Sequence, residues 1–203
     1  MFYFDQIENK KILKSDLIKN ADAFFTTREI CICDKKQTSN NILINKKILA
    51  KYLKIDEKNL ISPIQTHSAN VDIVKPSQHQ YPDCDGLILT EKEIAIFLNF
   101  ADCTPIILYD EIQNIGAISH AGWRGTAQKI AALTVQKMVN EFNSKPKDIT
   151  ALIGPAIGFC CYDVGEEGYE KLNELVGRSD LLKMNGRAEM DLSDLINFAR
   201  NTH

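Results

Sequence analysis

Residues 101–142 read ADCTPIILYDEIQNIGAISHAGWRGTAQKIAALTVQKMVNEF, and the change of period inside this stretch decides the fold class. Residues 105–109 and 115–119 are short β-favouring runs separated by polar residues. From Thr126 the period changes: Ala127, Ile130, Ala131, Val135, Met138, Val139 and Phe142 recur at helical spacing, with Thr126 available as N-cap. Further β-favouring runs lie on either side, at residues 70–74, 86–89, 94–100 and 149–153. Nearer the N-terminus, strands are expected around residues 2–4 and 23–27. A helix is expected over residues 41–53, with Ile44, Ile48, Leu49 and Tyr52 on its apolar face. Beyond Gly154-Pro155 the pattern predicts a helix over residues 166–176, closed by Gly177, and another from Asp191 carrying Leu192, Leu195, Ile196 and Ala199. The expectation is an α/β (α+β) fold, mixed β-sheets flanked by helices. No linker, repeat or low-complexity block divides the chain, so residues 1–203 are read as a single domain.

Composition supports a folded domain and removes several alternatives. The chain of 203 residues is 44% apolar and 25% charged, close to the average for globular proteins, so it can bury a core. With 24 Lys and Arg against 27 Asp and Glu, the net charge near −3 gives no global reason to expect nucleic acid or an anionic membrane as partner. The longest wholly apolar run, residues 94–98, is far too short to cross a bilayer. The opening Met1-Phe2-Tyr3-Phe4-Asp5 has neither a basic region nor a small-residue cleavage site, so a cytoplasmic protein is expected. The six cysteines include no C-x-x-C pair, and free or metal-bound thiols are a better reading than a disulfide framework. Cys31 and Cys33, in an Ile-Cys-Ile-Cys alternation, read as small core residues on one face of a strand.

Reactive side chains concentrate in four segments: Gln65-Thr66-His67, Asp83-Cys84-Asp85-Gly86, Ala101-Asp102-Cys103-Thr104-Pro105 and Ser119-His120-Ala121-Gly122-Trp123-Arg124-Gly125. In three of them a β-rich run delivers a metal-competent side chain where a strand ends, a position fixed by the sheet yet open to a cleft. Together His67, Cys103 and His120 would make a two-nitrogen, one-sulfur set suited to tetrahedral Zn²⁺ with a position left for water or substrate. The intervals of 36 and 17 residues do not by themselves bring the three together, and the same residues also read as two hydrogen-bonded core histidines and a buried thiol. Gly122-Trp123-Arg124-Gly125 leads into the expected helix, an arrangement suited to a phosphate or carboxylate; it reads equally as a tight turn with Trp123 packed and Arg124 solvated. Asp102 could orient a ligand or act as a base, or be a plain strand-end carboxylate. His79 and His203 are expected in solvent.

Taken together, the four segments resemble the family variously called YfiH-like, YlmD-like, laccase-domain or polyphenol oxidase family proteins, some described as purine nucleoside phosphorylases. The resemblance continues through Ile153-Gly154-Pro155-Ala156-Ile157-Gly158 and Cys161-Tyr162-Asp163-Val164-Gly165, and Thr26-Thr27-Arg28 resembles the family's short N-terminal segment. It implies that His67, Cys103 and His120 bind zinc, with copper as an alternative occupant, and that Arg28 lies near a substrate pocket. It also implies one α/β domain acting on purine nucleosides by phosphorolysis, methylthioadenosine included, or, for adenosine, deamination. One branch of the family edits mis-loaded peptidoglycan precursors.

The expected partners are therefore a purine nucleoside and phosphate, with Arg124 and Arg28 binding substrate and Asp102 and Arg124 serving catalysis. Alternatives kept open are a peptidoglycan-precursor editing hydrolase of the same family, a copper-dependent phenol oxidase, a metal-free enzyme with Cys103 as nucleophile, and a shortened, non-catalytic member that binds a ligand or partner. The chain departs from the family pattern in two places. Glu29-Ile30-Cys31-Ile32-Cys33-Asp34 replaces a glycine-bearing stretch after Arg28, and the sequence stops at His203, where relatives run some tens of residues further.

Overall fold

Strands β8 (Thr104–Asp110) and β9 (Ile115–Ala121) form an antiparallel hairpin, Thr104 opposite Ala121 and Asp110 opposite Ile115. Its turn is built by Asp110, whose Oδ1 accepts from the amides of Ile112 and Gln113 at 2.9 and 3.0 Å. The hairpin is the middle of a five-stranded sheet ordered β10-β8-β9-β6-β5, with β5 at Val71–Ile73, β6 at Gly86–Leu89 and β10 at Ile149–Ile153. The β5–β6 pair is parallel and the other three pairs are antiparallel. The structure, a computed structural model, describes residues 1–32, 39–158, 161, 162 and 165.

A helix covers one face of this sheet. Helix α3 (Ile130–Phe142) buries Met138 against Ile88, Leu108, Ile115 and Ala117. Fully burying side chains of this size stabilises by roughly 1.5–3 kcal/mol each. Thr134 ties the helix to β9 through a 2.8 Å hydroxyl contact with Ser119, and itself donates to the Ile130 carbonyl. The second layer is a three-stranded antiparallel sheet of β1 (Phe2–Ile7), β2 (Lys10–Ser15) and β3 (Phe24–Thr26), packed on helix α1 (Ser39–Leu53) through Ile7, Ile12, Ile30 and Leu49. Phe2, Ile18 and Phe25 join Ile107, Tyr109 and Leu152, so the two sheets share a core. A two-stranded parallel ribbon pairs β4 (Leu60–Ile61) with β7 (Ala95–Ile96).

The mixed sheets with flanking helices match the expected class, and residues 86–89 and 149–153 form strands with the bounds read from the sequence. Four local expectations are corrected, and one further strand is found. The helix expected from Thr126 is two helices: α2 (Trp123–Ala127) starts right after β9 with Gly122 as N-cap, and left-handed Lys129 (φ 64°) breaks the path before α3. Thr126 therefore sits inside α2, its amide bonded to the Gly122 carbonyl at 2.8 Å. On α1, Ile48, Leu49 and Tyr52 pack on the core as expected, but Ile44 is 54% exposed and Ile42 and Asn45 are buried, the Asn45 amide donating to the Cys31 carbonyl at 2.7 Å. Cys31 and Ile32 are not in a strand: Ile30 and Ile32 turn into the core and Cys31 is half-buried on the other side. Strand β2 has no clear signal in the sequence; it is made by the two-residue turn Glu8-Asn9, both at positive φ, which closes a tight hairpin without the usual glycine. Of residues 94–100, β7 alone is strand. The expected helices over residues 166–176 and beyond Asp191, with Cys33, Cys160 and His203, lie outside the described residues.

Candidate metal centre

The sheet register explains how residues far apart in sequence meet. Because β8 and β9 are antiparallel, the start of one lies beside the end of the other: Pro105 faces His120, and Cys103 immediately precedes β8. Strand β6 pairs antiparallel with β9, Gly86 opposite Ser119, so Asp85 stands beside His120, whose amide donates to the Asp85 carbonyl at 2.7 Å. Strand β5 runs parallel to β6 from the same end, and the loop that feeds it carries His67. Four strand ends therefore converge on one edge. Cys103 and His120 sit where the sequence pattern places them, at strand ends; His67 instead occupies a loop.

There one nitrogen each of His67 and His120 and the Cys103 sulfur lie within 4.8 Å of one another. The two imidazole rings cross edge-on at 73° with centroids 4.8 Å apart. His120 is 3% exposed, Cys103 is 9% exposed, and His67 faces solvent. Behind them stands Asp85, fully buried. Its Oδ1 meets His120 Nδ1 at 2.6 Å. Its Oδ2 accepts from the amides of Thr66 and Ser68 at 3.0 and 2.8 Å and from the Ser68 hydroxyl at 2.9 Å. Those two amides flank His67, whose backbone is left-handed (φ 63°). Gln65 holds the same loop to Asn99 by a reciprocal pair, its amide donating to the Asn99 carbonyl at 2.9 Å and its carbonyl accepting from the Asn99 amide at 2.8 Å.

Burial would raise the Asp85 carboxyl, but the hydrogen bonds from His120, Thr66 and Ser68 outweigh it and hold the group below the ordinary carboxylate range. Burial lowers His120, only partly offset by Asp85. Burial also pushes the Cys103 thiol up, against a smaller opposing contribution from Tyr162. Tyr162 reaches in from beyond β10, its hydroxyl 3.9 Å from Cys103 Sγ and accepting from the Trp123 amide at 3.3 Å. Phe100 packs a tilted ring 5.4 Å from that of His120.

The donor set fits a tetrahedral cation. With bonds of about 2.0–2.3 Å, neighbouring ligand atoms in a zinc tetrahedron stand roughly 3.5 Å apart. The three donor atoms, all within 4.8 Å of one another, come within about 1.3 Å of that spacing. His120 Nδ1 is taken by Asp85, which leaves Nε2 for the ion. Gly122 provides the room, since a Cβ at that position would stand 2.9 Å from Cys103 Sγ and 3.1 Å from His67 Cδ2.

The remaining sequence candidates are dispersed. Asp102 is exposed beside Cys103, and its carbonyl accepts from the Ile157 amide at 3.1 Å; the carboxylate that meets a histidine is Asp85. Arg124 is exposed in the first turn of α2, its guanidinium 4.4 Å above the Trp123 ring. Helix α2 is five residues long, too short to supply much of a dipole. Arg28 is exposed in a 3₁₀ turn after β3, and among the described residues no hydrogen bond or ion pair joins it to the triad. Sequence reasoning missed the parts played by Asp85, Thr66, Ser68 and Tyr162. A detectable signal is the carboxylate opening the wholly apolar run 86–89, since a charge carried into a core needs a partner.

Residues 33–202 match the family model described as multi-copper polyphenol oxidoreductase laccase. The chain belongs to that family. Adenosine deaminase RL5, of an unknown prokaryotic organism, is 31% identical over 213 residues, 92% of this chain and 80% of the relative. A purine nucleoside phosphorylase of Clostridium acetobutylicum is 36% identical over 132 residues, 65% of this chain and 55% of the relative, so the chain spans little more than half of that protein. Among solved structures, the hypothetical protein YfiH of Bacillus licheniformis superposes with a TM-score of 0.66 at 33% identity, covering 72% of this chain and 58% of the other. The fold and the resemblance to YfiH- and YlmD-like laccase-domain proteins thus stand together. Among the described residues of this laccase-family chain, no helix is long and apolar enough to cross a membrane.

Proposed function

We propose that the chain is a zinc-dependent enzyme acting on purine nucleosides, a phosphorylase in the first place, with adenosine deamination as a second activity. The observation that carries the reading is the convergence of His67, Cys103 and His120 within 4.8 Å, with Asp85 Oδ1 2.6 Å from His120 Nδ1. Relatives named as a purine nucleoside phosphorylase and an adenosine deaminase support it.

A zinc ion held by these three residues would polarise a bound oxygen and ease ionisation of water at neutral pH. The chain's own groups supply the rest. His120 is buried and held neutral by its surroundings, so it presents a nitrogen lone pair. Asp102, exposed beside Cys103, is the candidate acid or base, and the exposed Arg124 and Arg28 are the candidate cations for phosphate and substrate. In phosphorolysis a phosphate oxygen bonds to the ribose C1′ as the glycosidic bond breaks, and the purine leaves with a proton. In deamination water adds at purine C6 and ammonia departs.

Two rival readings are weaker on physical grounds. A metal-free Cys103 nucleophile needs a thiolate, but burial pushes this thiol up. A multicopper oxidase needs a His/Cys site plus a three-copper cluster, and the chain has four histidines, with His79 exposed.

The test incubates purified protein, its zinc content measured, with adenosine with and without phosphate, and separates the products. Adenine and ribose 1-phosphate report phosphorolysis; inosine and ammonia report deamination. Unreacted adenosine from stoichiometrically zinc-loaded protein overturns the proposal. Phosphate-dependent release of adenine with a KM for phosphate that rises in Arg124→Ala supports the assignment of Arg124 to phosphate.

A further inference from the structure

We infer that Asp85 is the positioning residue of the metal centre, one carboxylate that sets both histidine ligands at once, and that the site requires an ionised acceptor at each of its two oxygens. The inference rests on the metal reading above and concerns a residue that is not itself a ligand.

Counting the donors around each oxygen shows why. Oδ2 receives the amides of Thr66 and Ser68 and the hydroxyl of Ser68. The Ser68 oxygen accepts from the Asn70 amide at 3.2 Å, which leaves its own proton free to point at Asp85. With three donors facing it, Oδ2 has no room for a proton of its own. Oδ1 faces His120 Nδ1 at 2.6 Å. As an acceptor it requires the proton on Nδ1 and leaves the lone pair on Nε2, the tautomer a cation needs. On the other arm, the amides that bind Oδ2 come from the residues on either side of His67, so the same group pins the left-handed turn that presents that ring. The clamp spans residues 66, 68, 85 and 120, and Asp85 is wholly shielded from water.

An isosteric amide cannot do both jobs. In Asp85→Asn, an oxygen turned toward Thr66 and Ser68 places the NH₂ against His120 Nδ1, which must then accept, moving the proton to Nε2 and closing the lone pair to the metal. The opposite flip keeps the His120 tautomer but sets the NH₂ against two backbone N–H groups, which pushes the His67 turn away. Either arrangement costs the site one ligand while keeping the shape of the side chain.

The experiment reads tautomer and affinity separately. Nitrogen-15 NMR of the histidine rings in metal-free protein should find His120 protonated at Nδ1 and bare at Nε2. Zinc competition titration should show Asp85→Asn binding at least about 10-fold more weakly, within the range of about 10–100-fold that partners of ligating histidines carry. The variant's rings should report either Nε2–H at His120 or an altered His67 environment. A wild-type His120 protonated at Nε2 overturns the inference, and that result needs no variant to fold. So does an Asp85→Asn chain that binds zinc within twofold of wild type. A wild-type chain that takes up no zinc overturns the metal reading instead, and the tautomer measurement then decides alone for or against Asp85.

Discussion

Gly122 is the position at which the centre can be disturbed without removing a donor. Its backbone (φ −70°, ψ 172°) is extended and open to any residue, so space rather than conformation excludes a side chain. A Cβ there would stand 2.9 Å from Cys103 Sγ and 3.1 Å from His67 Cδ2. Unstrained contacts are roughly 3.5–4.0 Å, so Gly122→Ala drives the thiol or the ring back by about 0.5–1 Å. Both obstacles are side chains that can rotate, and alanine removes about 0.4–1 kcal/mol of freedom from the unfolded chain. The metal-free protein should therefore lose no more than about 2 kcal/mol. The ion is less tolerant, because ligand distances must hold to about 0.2 Å. Zinc affinity should fall by about 10–100-fold, equivalent to about 1.4–2.7 kcal/mol. The assay pairs urea unfolding of the metal-free chain with zinc titration against a chromophoric chelator. A folded Gly122→Ala protein that binds zinc as tightly as wild type refutes the claim that Cys103 and His67 hold one ion.

Gly154 gives the opposite dissociation. A Cβ there would run into the Phe25 ring at 2.4–2.8 Å, where the end of β10 meets the N-terminal sheet, so Gly154→Ala should cost about 1–3 kcal/mol in urea unfolding while zinc affinity stays within twofold. Acidification should destabilise the metal-free chain, because burial lowers His120 and the hydrogen bonds to Asp85, outweighing its burial, hold that carboxyl low. Both folded-state shifts favour the deprotonated forms, so their stabilisation is complete above about pH 6.5 and is lost as the pH falls, first through His120 and then, below about pH 4, through Asp85; a urea midpoint that stays level from pH 7 to pH 3 contradicts this.

The strands of the central sheet are legible in the sequence because their apolar runs are bounded by polar turns, and 86–89 and 149–153 need no tertiary information. What local pattern cannot supply is pairing. Nothing in the run 105–109 says that His120 lies opposite Pro105, yet that register brings Cys103 and His120 together. The candidate ligand set follows from a resemblance, and the register gives the physical reason its members meet. The helix break at Lys129 is hidden because the apolar positions on both sides keep one helical period; the left-handed residue shows only in the backbone. Hydropathy turns Ile44 inward because it prefers isoleucine to asparagine, and a hydrogen bond from Asn45 to the Cys31 carbonyl reverses the choice. Asp85 escapes a sequence reading for a related reason: a buried carboxylate is legible only through its partners, which come from separate segments.

The three candidate ligands are held with unequal firmness, two by the sheet and one by a loop. Cys103 and His120 are fixed by the register of one hairpin and are almost fully buried, so their separation is a property of the sheet. His67 stands on a left-handed turn in a loop, exposed, restrained by the two amides on Asp85 and by the Gln65–Asn99 pair. Two donors thus belong to the scaffold and the third to an adjustable arm. Because Asp85 grips both the arm and His120, a force on one histidine is felt at the other, and binding should order the loop over residues 65–68 while leaving the hairpin unchanged. The same asymmetry leaves the centre closed on the side of Cys103 and His120 and open to solvent on the side of His67.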